Sequence, residues 1–247
     1  PQPMCGGIAL IDYDGDGKVD IFLTNGGKLP DYTRPDPSYY SCLLRGRGDG
    51  TFEEVTAKAN IAGRNLDFSF GVAAGDFDND GDPDLFVANA GPNALYRNNG
   101  DGTFAEITAG SGLDRKAKDL LSVCAAFFDY DKDGLLDLVV SHYTFWSPRI
   151  DRRCPTPDGE IYCYPGLYKS VPHSLHRNLG NGKFEDVSEK SGFSKVAGKG
   201  MGIAIADFDD NGWPDVFIAN DTEPNFLFIN QGDGTFAEES WAWGVAY

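Results

Sequence analysis

Phe70-Gly-Val-Ala-Ala-Gly-Asp76-Phe-Asp-Asn-Asp-Gly-Asp-Pro-Asp84-Leu-Phe-Val-Ala-Asn89 places an apolar run on each side of a loop with aspartate at alternate positions. The stretch continues through Asn93-Ala-Leu-Tyr-Arg-Asn98 and Gly100-Asp-Gly-Thr-Phe104-Ala-Glu-Ile-Thr108. The acidic loop recurs from Asp12, Asp129 and Asp207, at spacings of 64, 53 and 78 residues along the chain. Gly-Asp-Gly-Thr-Phe recurs at Gly48 to Phe52 and Gly232 to Phe236, and as Gly180-Asn-Gly-Lys-Phe184. Each unit holds four short runs of strand-forming residues, with Asn-Gly or Asp-Gly hairpin signals between them. Self-similarity at this period, without helical periodicity, predicts an all-β chain of four-stranded antiparallel blades, a β-propeller.

Naming the strands of each unit A to D, blades are expected over 5–60, 68–112, 121–192 with an insert at 143–172, and 199–240. Gly244-Val-Ala-Tyr247 aligns with Gly71-Val-Ala-Ala74, so 241–247 is read as the opening strand of a fifth blade. The expectation is therefore a partial, larger ring rather than four closed blades. The chain opens on Pro1 without a charged-then-apolar leader, the pattern of a processed or partial chain, and no run approaches the length of a membrane span.

Carboxylates at alternate positions of a tight turn converge on one point, and glycine at the sixth position lets the chain bend. Side-chain ligands are expected at positions 1, 3, 5 and 9: Asp12, Asp14, Asp16 and Asp20; Asp76, Asp78, Asp80 and Asp84; Asp129, Asp131, Asp133 and Asp137; Asp207, Asp209, Asn211 and Asp215. Position 7 (Lys18, Asp82, Leu135, Trp213) is assigned a backbone carbonyl, so its side chain is free to vary. An oxygen-only set of this kind suits Ca2+, about four ions in all, better than the small octahedron of magnesium. An EF-hand needs glutamate at position 12, where this chain has Leu23, Val87, Val140 and Ile218. Asn211 makes the fourth loop the expected weakest site. The loops hold 17 of the 38 acidic residues, so the net charge of −17 is largely local to them.

These loops, Leu95-Tyr-Arg-Asn-Asn-Gly-Asp-Gly-Thr-Phe104 and the segment Cys154…Tyr162-Cys163-Tyr-Pro165-Gly resemble FG-GAP/VCBS repeats, as in integrin α-subunit propellers. The closer resemblance is to the ASPIC/UnbV, cartilage-acidic-protein-like family. It implies a secreted or cell-envelope calcium-binding propeller, usually of seven blades, used in adhesion or assembly.

The B–C connection spans 15 residues between Asn25 and Ser41 and 30 between His142 and His173, against 3 and 4 in the other two units. Long loops on a compact scaffold are commonly functional. The 30-residue insert offers Tyr143, Phe145, Trp146, Arg149, Arg152, Arg153, Tyr162 and Tyr164, residue types enriched at binding hot spots, as the candidate surface for a protein or glycan. The competing reading is that these aromatics pack on one another. Cys154 and Cys163 enclose eight residues and are expected to pair, with Cys5–Cys42 a second pairing and Cys124 a buried thiol. Pairing implies an extracytoplasmic compartment.

His173 and His176 lie three apart, on opposite faces of a strand, which argues against a shared metal. Arg47-Gly-Asp49 falls in the repeat's own hairpin turn. No catalytic residue is assigned, and no nucleic-acid partner or membrane span is expected. The leading reading is a non-enzymatic binding or assembly module. The alternatives are an accessory subunit of an envelope or membrane complex, and a propeller enzyme of the polysaccharide-lyase or quinone-dependent dehydrogenase type drawing on His142, Tyr143 and Arg149.

Overall fold

The computed structural model describes residues 6–28, 33–63, 66, 68–114, 119–147, 152, 154–157, 159–161 and 163–247, with backbone only at 156, 160 and 161. The repeat becomes four antiparallel sheets of four strands, each in chain order from A to D. Sheet one holds β1 (Ile8–Ile11), β2 (Asp20–Leu23), β3 (Cys42–Gly46) and β4 (Phe52–Glu54); sheet two holds β5 (Ser69–Gly75), β6 (Asp84–Asn89), β7 (Ala94–Asn98) and β8 (Phe104–Glu106). Sheet three holds β9 (Leu120–Phe128), β10 (Asp137–Phe145), β13 (Ser174–Asn178) and β14 (Phe184–Asp186), with the hairpin β11 (Cys154–Thr156) and β12 (Gly159–Ile161) inside its B–C connection. Sheet four holds β15 (Gly200–Ala206), β16 (Asp215–Asn220), β17 (Phe226–Asn230) and β18 (Phe236–Glu238).

The period-2 alternation of each central strand divides its side chains between two neighbours. In β6, Leu85 and Val87 enter the core shared with Phe22, Leu43 and Ile61 of the first unit, whereas Phe86 and Ala88 enter the core shared with Leu138 and Phe184 of the third. Sheet three repeats this: Leu138 and Val140 face sheet two, and Val139 joins Val216, Ile218 and Phe228 of sheet four. Both faces of the middle sheets are thus buried, as blades stacked side by side require. Burying one such phenylalanine contributes about 2–3 kcal/mol.

Two devices tie each sheet to the next. The C=O groups of Ala59, Ser111 and Ser191, in the connectors that follow β4, β8 and β14, accept from the N–H of Phe104, Phe184 and Phe236 (2.8, 2.7 and 2.8 Å). In addition the buried amides of Asn98, Asn178 and Asn230 donate to the C=O of Tyr13, Phe77 and Tyr130 in the preceding sheet's acidic loop (2.9, 2.7 and 2.9 Å). Sheet one carries Gly46 at that register.

Residues 241–247 correct the expectation of a fifth strand A. They form turns that repeat the connector after strand D: Trp243 N–H donates to Glu239 C=O as Ala59 does to Val55, and Val245 to Ser240 as Ile61 does to Thr56. Ala246 C=O accepts from Asn225 N–H as Ala62 C=O does from Ser41. The Gly-Val-Ala match was carried by small residues common to both segments. The better guide was the hydroxyl series Thr56, Thr108, Ser188 and Ser240, whose backbone N–H groups bond Glu54, Glu106, Asp186 and Glu238.

The strand B of sheet three also runs further than its equivalents. Thr144 and Phe145 pair with Leu121 and Leu120, so the first residues of the expected insert belong to β10, and irregularities on either side of His142 re-aim Tyr143.

Candidate metal centres and insert face

All four acidic loops sit on the A–B turns. The fourth residue of the second to fourth loops (Asn79, Lys132, Asp210) has φ near +58°, and glycine follows two residues later with φ of 96, 88 and 87°, a conformation only glycine adopts without cost. The first-position carboxylate closes the turn from inside: Asp12, Asp76, Asp129 and Asp207 each accept from the N–H groups of positions 5 and 6 at 2.8–3.1 Å. The ninth-position carboxylate, fully buried in every loop, accepts from the N–H of position 2 and from a strand C N–H.

Positions 1, 3 and 9 converge in all four loops: the sets Asp12, Asp14, Asp20; Asp76, Asp78, Asp84; Asp129, Asp131, Asp137; and Asp207, Asp209, Asp215 each place one oxygen per residue within 4.8 Å of the others. Position 5 stands outside these sets. Its Oδ1 (Asp16, Asp80, Asp133, Asn211) accepts instead from the N–H of position 7, at Lys18, Asp82, Leu135 and Trp213 (3.0, 3.0, 3.0 and 2.7 Å).

The donor set fits a hard divalent cation. Oδ1 of Asp14, Asp78 and Asp131 is buried and without a hydrogen-bond partner, a costly state for a carboxylate oxygen facing two others. Burial pushes Asp84 and Asp137 up to about 7, with nearby aspartates adding to the shift, and raises Asp20 and Asp215 in the same direction. A bound cation removes that penalty by favouring the ionised form. The fourth loop differs: Asn211 donates through its N–H and its side-chain amide to the two oxygens of Asp209 (3.1 and 3.0 Å), and Asp209 is exposed.

Two partners of these loops went unread in the sequence. Arg45 and Arg177 form ion pairs with positions 3 and 5 of the first and third loops. Their signal was the Leu-x-Arg register of strand C shared by Arg45, Arg97 and Arg177. The loops also touch each other: Asn79 donates to Gly134 C=O (2.8 Å), and the Lys132 ammonium lies over the Trp213 ring (4.4 Å).

On the opposite end, the insert is anchored rather than loose. Tyr143 donates its hydroxyl to Asp221 (2.6 Å), Thr144 donates to Lys169 C=O (2.8 Å), and buried Lys199 pairs with Glu223 (2.6 Å), which also accepts from Ser170. Tyr143 is thus tied through its hydroxyl to the β16–β17 connection. Phe145, Tyr164 and Leu167 are exposed (53%, 66% and 46%), and Arg152 is exposed, with Trp146 half-buried. Arg149, Arg153 and Tyr162 lie outside the described residues.

Cys154 and Cys163 form a disulfide across the β11–β12 hairpin. Cys42 carries a free thiol against the Thr56 hydroxyl, contrary to the expected pairing with Cys5, which lies outside the described residues. Cys124 is a free, half-buried thiol. All three histidines are buried: His142 lies between the hydroxyls of Ser122 and Ser174 (3.1 and 2.8 Å), and His176 reaches Ser174 (3.2 Å). Among the described residues, no helix is long and apolar enough to cross a membrane.

Stacked four-stranded antiparallel sheets with an acidic loop on each A–B turn define a repeat β-propeller. The FG-GAP-like repeat model matches residues 12–87, 76–140, 172–218 and 207–246, and the chain belongs to that family. It is 24% identical to cartilage acidic protein 1 of Homo sapiens over 99% of this chain, and 27% identical to that of Xenopus tropicalis over 90%. The chain spans 36% and 32% of the lengths of those relatives. Among solved structures, an Agrocybe aegerita lectin that recognises non-reducing terminal N-acetylglucosamine aligns over 94% of this chain and 51% of its own, at 19% identity and a TM-score of 0.46. A Bacillus licheniformis rhamnogalacturonan lyase aligns over 95% and 42%, at 15% identity and a TM-score of 0.48.

Proposed function

We propose that the chain is a non-enzymatic, extracytoplasmic propeller module whose A–B loops hold Ca2+ and whose insert face binds a protein or glycan. The observation that carries the reading is the repeated convergence of three carboxylates within 4.8 Å, with a buried, unpartnered oxygen at position 3 in three of the four loops. Calcium supplies the opposing charge that lets these carboxylates stay ionised, so it pins strand A to strand B in each sheet. Belonging to the FG-GAP-like repeat family supports the same reading. The disulfide and the cartilage relative support an oxidising, extracellular setting. A passive role agrees with His142, buried at 1% exposure and held by two serines, and with Tyr143, whose hydroxyl is engaged by Asp221.

Thermal melting in EDTA and in calcium tests the metal. Calcium at about a hundredfold over its dissociation constant is expected to stabilise the fold by about 3 kcal/mol per occupied site. An unchanged melting temperature would sink the calcium reading. For the insert face, Phe145→Ser with Tyr164→Ser is expected to reduce capture of ligands from glycan and extracellular-protein arrays while calcium-dependent melting holds. Undiminished capture moves the partner surface elsewhere.

A further inference from the structure

We propose that Arg45 and Arg177 are built-in counter-ions that compete with the cation in the first and third loops, leaving the second loop as the site of highest affinity. The inference rests on the calcium reading above and concerns how that site is tuned.

Arg45 directs Nε to Asp14 Oδ2 (2.6 Å) and Nη2 to Asp16 Oδ2 (2.8 Å). Arg177 repeats the fork, with Nε to Asp131 Oδ2 (2.7 Å) and Nη2 to Asp133 Oδ2 (3.0 Å). Nη2 makes the hydrogen bond in each case, while Nε lies at ion-pair distance without hydrogen-bond geometry, so one guanidinium charge faces two carboxylates. Its cost to the cation is specific. In both loops the fifth-position carboxylate then has each oxygen engaged, Oδ1 by the N–H of position 7 and Oδ2 by arginine. To join a metal's ligand set it must share an oxygen with the guanidinium or give that pairing up. The first loop adds a second cation, since Lys18 Nζ also lies 2.8 Å from Asp16 Oδ2.

The second loop has the same four carboxylates and an arginine at the same register, yet Arg97 is exposed and donates to Asn99 Oδ1 (3.5 Å). Among the described residues no ion pair joins it to Asp78 or Asp80; its charge acts on Asp78 only from a distance, leaving the carboxylate oxygens of that loop unclaimed by arginine. In the fourth loop Asn211 replaces the fifth carboxylate, and strand C carries Ile229 where the others carry arginine. The only loop without a carboxylate at position 5 is thus also the only one without the strand C cation. The arrangement gives the first and third turns a way to stay closed without metal, at the expense of affinity.

Calorimetric calcium titration of the 247-residue chain, comparing wild type with Arg45→Gln, Arg177→Gln and Arg97→Gln, tests this. Removing one cation beside a divalent ion in a water-screened loop is worth about tenfold in affinity. Arg45→Gln and Arg177→Gln are each expected to tighten one site by about that factor and to melt a few degrees lower in EDTA, with calcium restoring the difference. Arg97→Gln is expected to change affinity less than twofold. Unchanged or weakened binding in both Arg45→Gln and Arg177→Gln would overturn the proposal, as would equal destabilisation with and without calcium. Wild-type protein that takes up no calcium removes the calcium reading itself, a result separable from those two. Should the arginine variants fail to fold, Lys18→Gln at a half-exposed position tests the first loop alone, with tightening expected and no change overturning the proposal.

Discussion

His173 shows what burial of one titratable ring does to the whole fold. It is 1% exposed, packs on Phe226 at 5.7 Å between ring centres, and accepts the His142 N–H at Nδ1 (3.2 Å). Burial pushes its pKa down to about 4, with the Asn220 side chain partly opposing the shift. Above the ordinary histidine value of about 6.5, folded and unfolded chains are both neutral at this position and stability does not depend on pH through it. As pH falls below that value the unfolded chain takes up a proton that the folded chain refuses, so stability declines until about pH 4 and then levels. The expected loss is about 3 kcal/mol. Urea unfolding between pH 7 and pH 4 checks it: His173→Gln is expected to be less stable at neutral pH but to show a shallower decline on acidification. An unaltered slope would assign the pH dependence to other groups.

At the scale of elements, the sequence was most legible where a local rule operates alone. Alternate aspartates and glycine at the sixth position dictate the A–B turns, and β-branched runs dictate strands A and B. It was least legible where the decisive partner is distant in the chain. The Leu-x-Arg run of strand C marks Arg45 and Arg97 at one register but does not separate Arg45, folded back onto Asp14 and Asp16, from Arg97, turned to Asn99, because that choice depends on how two separate strands are juxtaposed. Tyr143 was likewise read as surface because its partner, Asp221, lies 78 residues away. The insert now reads as two parts, a root closed on itself by Thr144 to Lys169 C=O and fixed to the fourth unit by Tyr143 to Asp221 and Ser170 to Glu223 and Lys199, and an outer hairpin closed by Cys154–Cys163. Reducing the disulfide is expected to loosen only the hairpin, with local stabilisation of about 3 kcal/mol lost at most. Limited proteolysis should then cut faster between residues 146 and 169 while the main melting transition stays within a few degrees. Collapse of the main transition on reduction would mean that the hairpin supports the blades.

For the whole molecule, the apolar residues left in solvent are concentrated on its two outermost sheets. Ile8 and Leu10 alternate with buried Ala9 and Ile11 on β1 and are 60% and 65% exposed, on the face opposite the first core. At the other end Trp241, Trp243 and Tyr247 are 62%, 43% and 90% exposed. Apolar surface of this kind favours association, whereas a net charge of −17 opposes it. Reversible self-association of the 247-residue chain is expected to strengthen with salt, which screens that repulsion within about 10 Å at 0.1 M. Sedimentation velocity across a concentration series measures this, and Leu10→Gln with Ile8→Thr should weaken it. A monodisperse chain at every salt concentration would contradict the prediction.

The asparagine links between sheets also carry a direction in time. Asn98, Asn178 and Asn230 satisfy carbonyls that lie 85, 101 and 100 residues earlier in the chain. A ribosome adding about 5–20 residues per second leaves each of those carbonyls waiting for roughly 5–20 seconds. The first three acidic loops are therefore each completed by a residue not yet translated when their own sheet emerges. Each of the first three sheets is sealed by its successor.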